Sequence, residues 1–314
     1  MKPDMHVDIA GIPLQTPVLG ASGTFGYGVE FEDIVALERI GGFVTKGLSA
    51  LPMAGNPSPR MIETSAGMIN AIGLQNMGVD AYVTQKLQAF SHNPPPCAIV
   101  ANVFGYELED YLAVIRVLNT ADGIAAYEIN ASCPNTAHGG MVFGTDPKLL
   151  AELVTATKKA CHRPVIVKLS PNVTSIAAMA KVAEESGADA LTLVNTFLSL
   201  AIDIHTRQPK IANVTGGLSG PAIKPIALRM VWEAAQAVKI PIFGAGGIRT
   251  GEDAVEFLMA GASAVQVGTA SYADPRAVER IATELEHWCS RNHISEVRSL
   301  IGTLQIPEKP APRK

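Results

Sequence analysis

Residues 241–271 read PIFGAGGIRTGEDAVEFLMAGASAVQVGTAS and carry one complete repeat of the pattern that sets the fold. The apolar run Pro241–Ala245 ends in a glycine turn, and Thr250-Gly-Glu-Asp253 has the spacing of a helix capping box. A helical apolar period follows as far as Gly261, which suits the left-handed position after a helix; a second apolar run, Ala264–Gly268, then begins. Short apolar runs alternating with helical segments mark a parallel sheet with helices packed on it.

Working outward, the same pattern recurs at Pro17–Ser22, Gly42–Lys46, Ala98–Val103, Ala125–Asn130, Val165–Ser170 and Ala190–Asn195, which makes eight runs in all. Asp146-Pro147 and Asp274-Pro275 look like N-caps followed by proline at the first helical position, and Gly187 like another helix stop. Eight β-then-α units in order predict an α/β fold, a single closed (β/α)₈ TIM barrel, preceded by a hairpin within Asp4–Leu14. The 314 residues are 47% hydrophobic with no break in composition, so one barrel domain is expected over 1–306, and the Pro- and Lys-rich stretch 307–314 is expected to be a disordered tail.

Formal net charge is −4 with both signs scattered, which gives no basic footprint for nucleic acid or an anionic membrane surface. Met1–Pro17 has no continuous apolar run of the kind a signal peptide or membrane span needs. The four cysteines, Cys97, Cys133, Cys161 and Cys289, form no C-x-x-C pair, so no metal site is expected, and isolated thiols suit a cytoplasmic protein.

Three connections, Gly47–Asn76, Ala131–Asp146 and Thr196–Gly220, are too long for simple turns and all follow strands, which puts them on the C-terminal face of the barrel. That face also receives the end of each strand: Ser22, Lys46, Asn102, Asn130, Lys168, Asn195, Gly246-Gly247 and Gly268-Thr269. A strand end meeting solvent is the plain explanation for any one of them, but eight polar endings converging on one face point to a site. Gly244-Ala-Gly-Gly-Ile248 and Gly268-Thr-Ala-Ser271 stand where barrels hold phosphate on backbone N–H groups, although glycines also serve ordinary tight turns. A G-x-G-x-x-G fingerprint is absent, since position 249 is Arg. Lys46 and Lys168 end strongly apolar strands, where an ammonium either snorkels to water or meets an anionic partner such as a reduced flavin. Cys133 sits in a glycine-rich loop on the active face, where its thiolate could act as a base, whereas the other three cysteines read as structural.

Asn70-Ala-Ile-Gly-Leu-Gln-Asn76, Thr45-Lys-Gly47, Gly55-Asn-Pro-x-Pro-Arg60 and Asn130-x-Ser-Cys-Pro-Asn135 resemble the signature segments of dihydroorotate dehydrogenase, in the same order from about Val7 to Leu300. The resemblance implies an FMN-binding barrel that oxidises dihydroorotate to orotate in pyrimidine synthesis. It implies FMN contacts from Ser22, Lys46, Gly47, Asn102, Asn130, Lys168, Val194, Gly220, Gly246, Gly247, Gly268 and Thr269. It gives Lys46, Asn70, Ala71, Ile72, Gly73, Leu74, Asn130, Asn195 and Thr196 as the orotate shell, with Cys133 as catalytic base beside Lys46. The membrane-bound branch of the family uses Ser as base, whereas Ser22-Gly-Thr-Phe-Gly-Tyr-Gly28 and Ile72-Gly-Leu-Gln-Asn76 look more like the two-subunit, NAD-linked type. That type implies a partner subunit carrying FAD and a [2Fe-2S] cluster, in a heterotetramer of two plus two. Three alternatives stay open at this point: a single-subunit, fumarate-using enzyme, another pyrimidine-reducing flavin barrel, and a non-catalytic scaffold that binds a phosphorylated ligand.

Overall fold

Strands buried on both faces must be apolar except where a polar side chain finds partners inside, and the eight runs meet that condition. A computed structural model, which describes residues 2–91, 93–131 and 143–307, shows them as a closed parallel barrel. In chain order the barrel strands are β1 (Val18–Gly20), β2 (Gly42–Val44), β3 (Ala98–Val103), β4 (Ala126–Asn130), β5 (Val165–Lys168), β6 (Ala190–Leu193), β7 (Ile242–Ala245) and β8 (Ala264–Val267). Each pairs in parallel with its neighbour in sequence, and β8 closes on β1 through Val265–Val18 and Val267–Gly20. Several strands stop one or two residues short of their apolar run, so that Ser22, Lys46 and Asn195 leave the ladder at its C-terminal edge.

Helices Leu108–Asn119, Pro147–Ala160, Ile176–Glu185, Lys224–Ala235, Gly251–Met259 and Ala277–Arg291 cover the barrel. Asp146 caps its helix with bonds from the Lys148 and Leu149 N–H groups, the Thr250–Asp253 capping box is formed, and Gly187 and Gly261 have positive φ, all as the sequence predicts. Two local expectations need correction. Between β1 and β2 there is no α-helix but a pair of 3-10 turns, Val29–Phe31 and Leu37–Arg39, because Gly23, Gly26 and Gly28 all adopt positive φ and interrupt helical propagation. Asp274 is not the N-cap of the last helix. That helix starts at Ala277 after Arg276, and the Asp274 carboxylate instead accepts from the Arg276 N–H and from the Arg280 guanidinium.

The hairpin Val7–Ile9 with Ile12–Leu14 lies at the N-terminal end of the barrel and buries Ile9, Ile12 and Leu14 there. At the other end, two of the long connections meet in one antiparallel sheet of four strands, in the order Phe197–Leu200, Thr215–Ser219, Gly67–Asn70 and Met61–Thr64. Among the described residues no helix is long and apolar enough to cross a membrane.

Candidate active site

The strand ends and the loop sheet enclose a cavity of about 1230 Å³ on the C-terminal face. Because every strand of a parallel barrel points the same way, the residues that end the apolar runs arrive together. Ser22 follows β1, Lys46 and Gly47 follow β2, Asn102 is next to last in β3, and Asn130 and Lys168 close β4 and β5; all line the cavity. Val194, Asn195 and Thr196 reach it after β6, Gly220 ends the β6–β7 connection, Gly246 and Gly247 follow β7, and Gly268 and Thr269 follow β8. Asn70 through Leu74 enter from the loop sheet, where the Asn70 amide donates to the Gly217 carbonyl across the sheet at 3.4 Å. Cys133 lies outside the described residues.

The amides and hydroxyls of this cavity are mutually braced. The Asn195 amide donates to Asn130 Oδ1 at 3.3 Å, and the Tyr111 hydroxyl donates to the Asn130 carbonyl at 2.8 Å. Ser22 donates to the Thr45 carbonyl at 2.7 Å, and Thr269 donates to the Ser219 hydroxyl at 2.8 Å. Burial pulls the Lys46 ammonium below the ordinary lysine range, and the Arg60 guanidinium adds to the effect. An anionic ligand would relieve both penalties.

The two lysines differ in kind. Lys168 has a built-in counter-ion, since its Nζ stands 3.5 Å from Oε1 of Glu128, a carboxylate fully buried in the middle of β4. Glu128 also accepts from Asn102, Thr192 and Gln266, which come from β3, β6 and β8. Sequence reasoning missed this cluster although a signal was present: a carboxylate in the doubly buried run Ala126–Asn130 demands several donors. Asn172 and Gln266 were likewise missed, although both line the cavity.

Two features test whether the cavity fits a phosphorylated heterocycle. Asn102 Oδ1 and Gln266 Oε1, on two residues that line the cavity, are buried without a partner, so the polar floor is incomplete with the protein's own groups alone. At Gly268 the backbone avoids the left-handed region, and an added Cβ would meet nothing closer than Ala21 Cβ at 3.6 Å. Glycine there is therefore not demanded by the chain itself, and it leaves room for close approach to the backbone. Gly247 is different: φ is +79° and a Cβ would stand 2.9 Å from the Gly220 carbonyl oxygen, so the turn itself requires glycine. The residues fit an FMN-type ligand on both counts.

Burial pushes the Cys97 and Cys161 thiols up to about 12 and Cys289 to about 11, which removes these three as thiolates near neutral pH. No group of three metal-ligating side chains occurs among the described residues.

The family model for dihydroorotate dehydrogenase matches residues 4–289. A relative from Solibacter usitatus, named dihydroorotate dehydrogenase A (fumarate), is 61% identical over 98% of this chain and 100% of its own. Relatives from Geobacter sulfurreducens and Geobacter strain M21, both named dihydroorotate dehydrogenase B (NAD(+)), catalytic subunit, are 56% and 54% identical over 97% of this chain and 99% of theirs. With a family match along most of its length and end-to-end relatives of this identity, the chain belongs to the dihydroorotate dehydrogenase family.

Proposed function

We propose that this chain is the catalytic subunit of a two-subunit dihydroorotate dehydrogenase, which oxidises dihydroorotate to orotate for pyrimidine synthesis in the cytoplasm. One observation carries the reading: one serine, two lysines, three asparagines and two glycine turns, one from each of the eight strand ends, converge on one cavity of about 1230 Å³. The family is flavin-dependent, and bound FMN would accept the hydride that leaves C6 of dihydroorotate. In this reading Gly246, Gly247, Gly268 and Thr269 hold the phosphate on backbone N–H groups, and Gly220 and Val194 shape the cavity beside them. Ser22, Gly47, Asn102 and Lys168 surround the ring, with Lys168 offsetting negative charge that develops on reduction.

The substrate lies under the loop sheet in this proposal. Asn70, Asn130 and Asn195 grip the planar ring through amide donors and acceptors, and Ala71, Ile72, Gly73, Leu74 and Thr196 close around it. Lys46 meets the substrate carboxylate, whose charge would offset the ammonium's desolvation. Cys133, assigned as base by resemblance, takes the C5 proton.

NAD as acceptor, reached through a subunit bearing FAD and a [2Fe-2S] cluster in a two-plus-two assembly, is supported by the names of the two Geobacter relatives. The missing G-x-G-x-x-G fingerprint agrees with it. The Solibacter relative's name favours a second reading, direct transfer to fumarate. The purified chain should bind FMN, turn yellow and bleach anaerobically on adding dihydroorotate. It should then pass electrons to a small artificial acceptor but not to NAD until the partner is added. Rapid fumarate-dependent turnover by the chain alone would select the second reading, and a protein that takes up no FMN would leave only a scaffold role.

A further inference from the structure

The segment Asn70–Leu74 lines the cavity, and its turn is made by two consecutive left-handed residues, Gly73 with φ +74° and Leu74 with φ +56°. Glycine suits position 73 on two grounds: it adopts that φ freely, and a Cβ there would stand 2.6 Å from the Asn56 backbone nitrogen. Leucine at 74 has neither advantage. A left-handed leucine crowds its Cβ against the following carbonyl, and it persists only where its surroundings hold it. Asn56 holds the first half of the turn, with its N–H on the Ile72 carbonyl and its side-chain amide on the Ala71 carbonyl, both at 2.9 Å. The carbonyl of Leu74 itself accepts from Asn76 Nδ2 at 2.9 Å. Asn76 is 7% exposed and, unlike the residues Asn70 to Gln75 before it, does not line the cavity. Its Nδ2 also donates to Ser49 Oγ at 2.8 Å, while its Oδ1 accepts from the Gly78 N–H at 2.8 Å and the Ser49 N–H at 3.4 Å. Two backbone N–H groups on the oxygen fix which way the amide faces, so its NH₂ end must meet Ser49 Oγ and Leu74. Those two partners differ in kind. The Ser49 hydroxyl donates or accepts as it rotates, whereas the Leu74 carbonyl accepts only.

We infer that Asn76 is a positioning residue for the substrate: from behind the cavity wall it holds Leu74 in its left-handed conformation, so that Asn70–Leu74 keeps the shape that closes around the ring. The inference rests on the proposed function, in which this segment surrounds dihydroorotate. Without the tie, Leu74 returns toward the conformations that leucine prefers, the binding-competent shape becomes a minor state, and affinity falls by the population lost. Asn76→Asp isolates that tie. Aspartate keeps the shape and the two accepted N–H bonds, and the Ser49 hydroxyl can turn to donate to it, but the Leu74 carbonyl is left facing an acceptor.

The probe is orotate added to the FMN-loaded protein, with binding read from the flavin absorbance change. Asn76→Asp should weaken orotate by roughly 5- to 30-fold, the population factor for a left-handed residue released from its tie. KM for dihydroorotate should rise by more than kcat falls, and FMN content per chain should stay as in the wild type. Ser49→Ala, which removes the other Nδ2 partner and leaves the Leu74 tie, should keep most of the orotate affinity. In a Leu74→Gly background, where a left-handed φ carries no penalty, Asn76→Asp should weaken orotate far less than it does with leucine in place. Wild-type orotate affinity in Asn76→Asp overturns the inference. So does an equal loss in Ser49→Ala, or a loss that Leu74→Gly leaves undiminished, since each takes Leu74 out of the account. If Asn76→Asp fails to fold, Asn76→Ala, which leaves a void instead of a buried carboxylate, must show the same pattern; a second failure makes Asn76 part of the fold and not of the site, and also overturns it. A wild type that binds neither FMN nor orotate defeats the proposed function, and this inference falls with it, whereas normal wild-type binding with unaffected variants defeats the inference alone.

Discussion

Lys46 is the residue whose protonation the cavity handles least comfortably. Its folded-state pKa lies below that of an unfolded lysine, first through burial and then through Arg60. The unfolded chain therefore holds this proton to higher pH, so the charged Lys46 subtracts from stability at neutral pH, and the penalty fades as pH climbs through the lowered value. The same ammonium is what an anionic ligand requires. Orotate affinity, read from the flavin absorbance change, should fall as pH rises, beginning below the 10.5 of an ordinary lysine. Lys46→Met should lose most of the affinity and flatten that limb, yet give an apoprotein more resistant to urea at neutral pH. A variant that keeps orotate affinity would dissociate Lys46 from the anion.

Among elements, the hairpin Val7–Ile9 with Ile12–Leu14 has a role separate from chemistry. Ile9 is 0% exposed and Leu14 1%, and both seal the barrel end that faces away from the cavity. Ile9→Ala should lower unfolding free energy by about 2–5 kcal/mol, the range for deleting a buried branched chain, while FMN content per chain stays unchanged. A loss under about 0.5 kcal/mol would mean that the hairpin unfolds apart from the barrel. The loop sheet at the opposite end follows another logic. Its strand Phe197–Leu200 alternates half-buried Phe197 and Ser199 with exposed Leu198 and Leu200; Phe197 packs against the core, and Leu198 lines the cavity from the exposed face.

At the scale of the molecule, the cavity takes residues from the ends of all eight strands and from two connections joined in one sheet. No part of such a site survives if the barrel opens, so a ligand that binds it binds only the folded chain. FMN at 100 times its dissociation constant should add about 2.7 kcal/mol to the stability of the whole barrel. A thermal scan should show one transition that moves upward as a unit with FMN concentration. Two transitions, with only one responding to FMN, would show that the cavity half of the barrel unfolds independently.

What the sequence determined by itself was whatever is local or repeats. Apolar runs, caps at Asp146 and Thr250 and stops at Gly187 and Gly261 fix eight strands and most of the helices between them, and a parallel barrel then delivers every strand end to one face. Lys46, Asn102, Asn130, Lys168 and Asn195 were legible for that reason before any contact was known. The tertiary structure alone decided what meets across the barrel interior. The partners of Glu128 stand 26, 40, 64 and 138 positions away in the chain. Periodicity says that a side chain points inward, but only barrel closure and strand stagger say which inward side chains share a layer. The joining of the two long connections was hidden similarly, because the pairing of Gly67–Asn70 with Thr215–Ser219 depends on β2 and β6 facing each other across the mouth. The absence of a helix between β1 and β2 was a different miss: three glycines in left-handed conformations outweighed the repeat, and their φ values exist only in the folded chain.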